Sequence, residues 1–396
     1  MDMGEDRRRS LVAGGVLLFG LVLSAVILNA LWTLDDNGLS RLNAKLPIWD
    51  FSNLWAAGVF VLQGKITLLF DPEAYRAALR DLFTPLLTDQ EWSYPPSMLL
   101  VAVPLGLLPA WPAYALWTGA TILLLYLALR PLDLPPAARL AILVSPGVVM
   151  SVVVGQNGAL TASLLIGGLL LAPRRPVLAG ILFGLLTVKP HLGLLVPFCL
   201  LANRNGKAIL SAALTTGIVV GVTALLFGPS VWMSFRTVTA PLMTAIMEAP
   251  YPQSYHVLAL TAFSAGRSFG WDLTASYALQ ACVSTGALAG AVWLWWPGAA
   301  AISQERRAVL TGLLALIATP YGYVYDSVPL SIAVAYLFVR EKRVPVAVHA
   351  IAWLFPLFVP AMGLRGFGAG IAVIIAYAAL HLGLAFRDSR MAARPA

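Results

Sequence analysis

Two charged residues stand out in a chain that is otherwise largely hydrophobic. Asp50 follows the first apolar segment, and Lys189 lies between Val188 and Leu192 in another apolar stretch. A carboxylate that is partly removed from water becomes more basic, so Asp50 could act as a general base. A lysine at membrane depth is costly and indicates function, and its ammonium requires an anion such as a lipid phosphate.

Simpler explanations exist for both charges. Asp50 could lie exposed in a loop, or it could cap the helix that begins beside it, because aspartate is a preferred N-cap residue. Lys189 could extend its ammonium along apolar side chains to the membrane surface. Taken alone, the two residues leave these alternatives open.

Polar residues also interrupt other apolar segments. Gln156 and Asn157 lie in a Gly-Gln-Asn-Gly sequence, which is either a simple turn or a source of amide hydrogen bonds. Residues 321–326 read Tyr-Gly-Tyr-Val-Tyr-Asp and contain Tyr325 and Asp326. These tyrosines could form an interfacial belt or stack on a sugar ring, and Asp326 could cap the next helix.

Three further residues are candidates for contact with a substrate: Tyr94, His191 and His256. The four histidines of the chain are scattered without the spacing of metal ligands, and the two cysteines lie in apolar stretches. The sequence has neither a glycine-rich nucleotide loop nor a nucleophile motif. We therefore expect neither a metal nor a cofactor.

The composition indicates whether water or lipid surrounds these residues. Of 396 residues, 59% are hydrophobic and 11% are charged, whereas soluble domains have about 25% charged residues. The chain is therefore predicted to be an all-α polytopic membrane protein, a single domain over residues 1–396. The net charge of +8 lies in short clusters between apolar segments. Such clusters favour cytoplasmic loops and not a nucleic-acid surface.

The first hydrophobic segment, Leu11–Trp32, follows three arginines and is too long for a signal-peptide core. It is predicted to be a retained span with its N-terminus in the cytoplasm. The first polar loop, residues 35–94, then lies outside and contains two short helices. Phe51–Gln63 is expected to be amphipathic and to lie flat on the membrane, whereas Pro72–Phe83 has Asp71 as its N-cap.

About a dozen spanning or partly spanning helices are predicted from segments of suitable length. After the first polar loop they are Met98–Leu108, Ala113–Leu129, Leu140–Val153, Ala159–Leu171, Val177–Val188, Leu192–Ala202, Ile209–Phe227, Leu273–Trp296, Val309–Thr319, Val328–Val339, Val344–Pro360 and Phe367–Phe386. A second polar loop, residues 228–270, is expected outside. Residues 177–202 form either a re-entrant hairpin with Lys189 at its tip or one span kinked at Pro190.

The order of these features resembles that of the integral-membrane glycosyltransferases of family 87. The resemblance covers roughly residues 10–340. The residues that carry it are Asp50 at the start of a helix that ends at Gly64, Tyr94-Pro95-Pro96, Gly155-Gln156-Asn157, Arg175-Pro176 with Ala179-Gly180, and Lys189-Pro190.

This resemblance implies a C-type glycosyltransferase fold and sugar transfer from a polyprenyl-phosphate donor to a lipid or glycan acceptor. The expected location is the bacterial inner (plasma) membrane, with the active site facing the periplasm or outside. Asp50 matches the catalytic base, and Lys189 matches a position suited to the donor phosphate. The mannosyltransferase branch of the family has a histidine in the loop before a late span, and residues 321–326 contain none. The sugar is therefore left open as mannose or another hexose or pentose.

The competing interpretation is a transporter or lipid flippase, because broken helices and an intramembrane lysine also occur there. It predicts internal repeats, which the chain does not display convincingly.

Overall fold

The computed structural model describes residues 3–299 and 301–392, and this part of the chain is helical without β-strands. In chain order the helices are α1 (Met3–Trp32), α2 (Trp49–Leu62), α3 (Pro72–Leu82), α4 (Leu99–Gly106), α5 (Ala110–Ala128), α6 (Pro136–Leu143), α7 (Pro146–Val154), α8 (Gly158–Leu171), α9 (Pro176–Leu185), α10 (Val196–Ala202), α11 (Gly206–Phe227), α12 (Ser230–Ser234), α13 (Ala240–Glu248), α14 (Ala262–Ser268), α15 (Leu273–Trp295), α16 (Gln304–Ala318), α17 (Val328–Arg340), α18 (Val346–Leu354), α19 (Val359–Leu364) and α20 (Ile371–Ala392).

Six helical segments of the described chain are long and apolar enough to cross a membrane. They are Arg7–Trp32, Ala110–Ala128, Pro136–Val154, Gly206–Phe227, Leu273–Trp295 and Ile371–Ala392. Six shorter apolar helical segments accompany them, of which Gly158–Leu171 in α8 is one. The protein is therefore a multi-pass membrane protein, and its first predicted span coincides with one of these six segments.

Three of the less exposed helices form the centre of the bundle. Most residues of α8, α16 and α17 are buried, and these helices pack on one another. Close packing depends on glycine at the contact of α8 with α9, because a Cβ on Gly168 would lie 2.4 Å from the Phe183 ring. The shortness of α8 follows from its position, since surrounding helices and not lipid cover it.

The segment around Lys189 is a re-entrant hairpin. Its two ends meet, because the Asn205 side-chain amide donates to the carbonyl of Ala172 over 2.8 Å. Helix α9 rises, α10 returns, and α11 then runs parallel to α9, with Gly180 against Ala208 and Gly184 against Thr215. Of the two alternatives left by the sequence, the hairpin is therefore correct and the single kinked span is wrong.

The first polar loop folds onto the bundle. In α3 the Asp71 side chain accepts from Ala74 N over 3.1 Å, so the predicted cap is confirmed. Helix α2 differs from expectation, because consecutive residues Phe51 to Leu54 are all buried. It packs against α4, where a Cβ on Gly58 would lie 2.0 Å from the Ala102 carbonyl. The expected amphipathic surface helix is thus covered by protein on several sides.

The two ends of the bundle differ in charge. At one end Trp32, the last residue of α1, donates from Nε1 to the Val153 carbonyl over 3.3 Å. At the other end Arg9 of α1 donates to the carbonyls of Lys342 and Val344. The arginine-rich end, around Arg9 and residues 340–343, therefore lies opposite the end that contains α2.

Candidate active site

Asp50 lies in the first turn of α2 and does not cap it. The N-cap position is Ile48, which makes no side-chain cap hydrogen bond. Two side chains hold this turn by donating to the Trp49 carbonyl: Ser52 Oγ and Gln90 Nε2, both over 2.7 Å. The capping interpretation of Asp50 is therefore wrong, because the helix begins two residues earlier than that role requires.

The environment of Asp50 makes its carboxylate unusually basic. Burial raises its pKa from 3.8 to about 6, although the Lys45 ammonium, a hydrogen bond from Gln156 and the Lys189 ammonium each lower the pKa. The carboxylate is thus ionised in most molecules at neutral pH but accepts a proton more readily than a solvated aspartate. This combination suits a general base.

The Gly-Gln-Asn-Gly sequence is a tight turn pressed between two parts of the site. Gly155 has a φ of +73°, and a Cβ there would lie 2.3 Å from Cβ of Phe51. A Cβ on Gly158 would lie 2.0 Å from the Tyr325 carbonyl oxygen. Glycine is therefore required at both ends of the turn, which brings its two amide side chains between α2 and residues 321–326.

The two amides of this turn are oriented by neighbouring groups. Gln156 Oε1 accepts from the Tyr94 hydroxyl and from Asn157 N, both over 3.2 Å. This leaves the Gln156 amide nitrogen as the donor to Asp50. Asn157 Nδ2 is buried and has no hydrogen-bond partner among residues 3–299 and 301–392. The turn thus presents one donor to the base and keeps another for a ligand.

Lys189 lies at the tip of the hairpin and is 6% exposed. Its ammonium forms an ion pair with Asp326, 2.5 Å from Oδ1, and donates to Asn157 Oδ1 over 3.4 Å. It also lies 4.8 Å from the centre of the Tyr325 ring. The anion beside Lys189 is therefore a carboxylate of the same chain. A bound phosphate would be a second anion at this ammonium.

Asp326 connects Lys189 to the backbone of residues 321–326, which contain three tyrosines. Its Oδ2 accepts from Tyr323 N over 3.1 Å, and the N-cap of α17 is the next residue, Ser327. The alternative role as the cap of α17 is therefore wrong. One oxygen of Asp326 fixes the local turn and the other fixes the lysine.

Aromatic rings line the same region. Tyr323 and Tyr325 are stacked with centroids 5.3 Å apart, and Tyr321 meets Tyr323 edge-on. His191 packs edge-on against Tyr321 at 5.3 Å, and its Nε2 is buried without a partner in the described chain. Burial, with a smaller contribution from the Asp50 charge, raises the pKa values of Tyr94 and Tyr325 well above 10. These hydroxyls remain protonated and can donate hydrogen bonds.

Asp50 and Lys189 occupy the same end of the bundle, close enough for the Lys189 charge to lower the pKa of Asp50. Tyr94, Gln156, Asn157, Tyr325 and Asp326 surround them through the contacts given above. His191 reaches this group through Tyr321. The structure therefore brings together eight of the nine residues that the sequence singled out.

His256 is the residue that stands apart. Its Nδ1 accepts from Gln253 N over 3.0 Å, its Nε2 lies 3.2 Å from the Met247 carbonyl, and its ring stacks on Tyr251. Both ring nitrogens are thus used inside the second polar loop. A contact between His256 and a substrate would require one of these hydrogen bonds to break.

Two features of the site were missed in the sequence. Lys45, which lies over the Trp49 ring at 4.7 Å, is the cation that lowers the Asp50 pKa most. Glu91 pairs with Arg76 at 2.5 Å and accepts from the Tyr255 hydroxyl, so it joins the first polar loop to the second. Lys45 is only five positions from Asp50 and could have been noticed, whereas the partner of Glu91 is 164 residues away.

Within residues 3–299 and 301–392, no group of three or more histidine, cysteine, aspartate or glutamate residues is arranged to hold a metal ion.

A comparison with protein families matches residues 92–320 to the model described as glycosyltransferase family 87. The matched region includes Tyr94, the Gly-Gln-Asn-Gly turn and the Lys189 hairpin, and it ends just before residues 321–326. Asp50 lies outside it. No curated protein and no solved structure matches the chain.

Proposed function

The chain belongs to glycosyltransferase family 87, and from this premise we propose that it transfers a sugar from a polyprenyl-phosphate donor to a lipid or glycan acceptor. The observation that carries the proposal is the meeting of a basic carboxylate, Asp50, with a buried ammonium, Lys189, at one end of the bundle. The carboxylate would accept the proton of the acceptor hydroxyl, and the ammonium would bind the departing phosphate.

Asp50 is the general base of the proposed reaction. The acceptor oxygen forms a bond to the anomeric carbon while its proton moves to the Asp50 carboxylate. The bond from that carbon to the phosphate oxygen breaks, and the polyprenyl phosphate leaves with both electrons. A base in hydrogen-bond contact with the nucleophile accelerates such a step by about 10²–10⁴-fold.

Lys189 and Asn157 stabilise the leaving phosphate. An ammonium has three donors, of which Asp326 and Asn157 occupy two. The third donor and the unpartnered Asn157 Nδ2 would bind a phosphate oxygen, where negative charge develops as the bond breaks. Asp326 holds the ammonium in place and offsets its charge, which limits retention of the product phosphate.

The tyrosines and the remaining polar residues would bind the sugar and the acceptor. Stacked rings such as those of Tyr323 and Tyr325 present flat apolar faces beside polar groups, which suits a pyranose. Tyr94, Gln156 and His191 are proposed to contribute hydrogen bonds, and His256 would contribute one only after one of its present hydrogen bonds breaks. The sugar is proposed to be mannose or another hexose or pentose.

We propose a C-type glycosyltransferase fold with about a dozen spanning or partly spanning helices. The six long and six shorter apolar segments support this assignment. The arginine-rich end supports a cytoplasmic position for that end, since lysine and arginine are retained on the cytoplasmic side. Asp50 then faces the periplasm or outside, in a bacterial inner (plasma) membrane.

The test is transfer of sugar in vitro from synthetic polyprenyl-phosphate sugars by purified protein with a membrane extract as acceptor source. Asp50→Asn is expected to lose about 10²–10⁴-fold in rate. The matched control is Asp36→Asn, an exposed aspartate of the same loop. Undiminished transfer by a folded Asp50→Asn protein would show that Asp50 is not the general base. Absence of transfer by wild type, with movement of the donor lipid across a bilayer, would favour a flippase.

A further inference from the structure

A cavity of about 440 Å³ lies at the arginine-rich end of the bundle, remote from Asp50. Its walls are formed by α1, α6, α17 and α18, and include Gly14, Ala138, Phe338 and Trp353. Gly14 is exposed, so the cavity opens on the surface of the protein. The volume falls in the range of small-molecule sites, about 300–1,000 Å³. Most of its lining is apolar, as a site for an acyl chain would be.

A buried guanidinium lies beside this cavity. Arg9 is 9% exposed and lies over the ring of Phe338, with its central carbon 5.3 Å from the ring centroid. Its Nη1 donates to the Lys342 and Val344 carbonyls over 3.0 and 3.1 Å. Its Nε and Nη2 are buried and have no partner among the described residues. A charged group with two unsatisfied donors in apolar surroundings calls for an anion.

Other nitrogen groups lie on the same cavity. His349 lines it, with Nδ1 bonded to the Tyr377 hydroxyl at 2.8 Å and Nε2 buried without a partner in the described chain. Lys342 also lines it. The nearby carboxylate of Glu341 is engaged by Arg343 at 2.6 Å. Nitrogen atoms of Arg9 and His349 that have no partner in the described chain therefore lie on or beside an apolar cavity.

We propose that this cavity binds an acidic phospholipid of the adjacent leaflet. The phosphate would accept hydrogen bonds from Arg9 Nε and Nη2, and an acyl chain would fill the space beside Gly14 and Phe338. Free phosphate would satisfy only the polar groups and would leave the apolar walls uncovered. Basic pockets between membrane helices recognise anionic headgroups in this way. The site is independent of the proposed glycosyl transfer.

The test is a thermal-unfolding titration of the purified full-length protein in uncharged detergent with dioleoyl phosphatidylglycerol. Dioleoyl phosphatidylcholine and inorganic phosphate are the comparison ligands. A ligand that binds only the folded state raises the melting temperature. We expect a saturable increase with phosphatidylglycerol and no comparable increase with the other two. Equal stabilisation by phosphatidylcholine would overturn the proposal, as would stabilisation by phosphate alone.

Two matched pairs of variants locate the effect. Arg9→Gln is expected to weaken the apparent affinity for phosphatidylglycerol by about tenfold or more, whereas Arg8→Gln, at an exposed arginine one residue away, leaves it unchanged. Gly14→Phe would fill the cavity without a clash at Cβ, and Gly15→Phe adds the same ring to a glycine that is equally free of contacts and does not line the cavity. Gly14→Phe should abolish the increase in melting temperature caused by phosphatidylglycerol, and Gly15→Phe should retain this increase. If phosphatidylglycerol still raises the melting temperature of both Arg9→Gln and Gly14→Phe, the site is refuted. If it still raises that of Arg9→Gln alone, recognition of the anionic headgroup is refuted.

Discussion

Replacement of Asp50 by asparagine should stabilise the protein while it removes the proposed base. The pKa of Asp50 rises from 3.8 to about 6 on folding because burial disfavours the charged carboxylate. One pKa unit corresponds to about 1.4 kcal/mol, so ionised Asp50 lowers the free energy of unfolding by about 3 kcal/mol at pH 7. An uncharged asparagine of the same shape avoids this cost.

The sign of the pH dependence follows from the raised pKa. The stabilising contribution of Asp50 protonation is complete below about pH 4 and is lost as the pH rises through 6. The advantage of Asp50→Asn over wild type should therefore be about 3 kcal/mol at pH 7 and about half of that at pH 5.

Unfolding in detergent micelles, followed at pH 7 and pH 5, measures this difference. Asp36→Asn is the control, because Asp36 is exposed in the same loop and its replacement should change little at either pH. The prediction fails if the free energies of unfolding of Asp50→Asn and wild type differ by less than about 1 kcal/mol at pH 7, or if their difference increases on acidification. Either result would show that burial does not set the Asp50 pKa.

Three further predictions concern the surroundings of Asp50. Lys45→Met should raise the pH at which transfer falls to half, because the Lys45 ammonium lowers the Asp50 pKa; a pH–rate profile checks this against Lys65→Met, at an exposed lysine. Gly155→Ala should lower the melting temperature and the yield of folded protein, since its Cβ would lie 2.3 Å from Phe51, whereas Gly119→Ala meets nothing within 4 Å and should be neutral or better. Lys189→Ala should destabilise the protein by about 3–5 kcal/mol, because it leaves a buried carboxylate unpaired; equal unfolding curves for this variant and wild type would contradict that expectation.

Local patterns in the sequence predicted the features that depend on nearby residues. The first span needed only a long apolar run, and the cap of α3 needed only Asp71 followed by Pro72. The hairpin was one of two alternatives that the sequence left open. The first two features depend on residues that are close in the chain, whereas the contact that decides the hairpin, between Asn205 and Ala172, spans 33 positions.

Tertiary contacts decided the features that the sequence missed. The ion pair of Lys189 joins residues 137 positions apart, so the need for an anion was foreseeable but its identity was not. The burial of α2 depends on glycine contacts with α4, which no periodicity reveals. His256 looked like a free polar group because its partners at Gln253 and Met247 are backbone atoms.

Asp50 is proposed to accept the proton of the acceptor hydroxyl. The most direct measurement is the pH dependence of kcat/KM for transfer, since this ratio reports the ionisation of the free enzyme. We predict that wild-type kcat/KM falls tenfold per pH unit below about pH 6 and that the residual activity of Asp50→Asn lacks this fall. The same break near pH 6 in Asp50→Asn would contradict it.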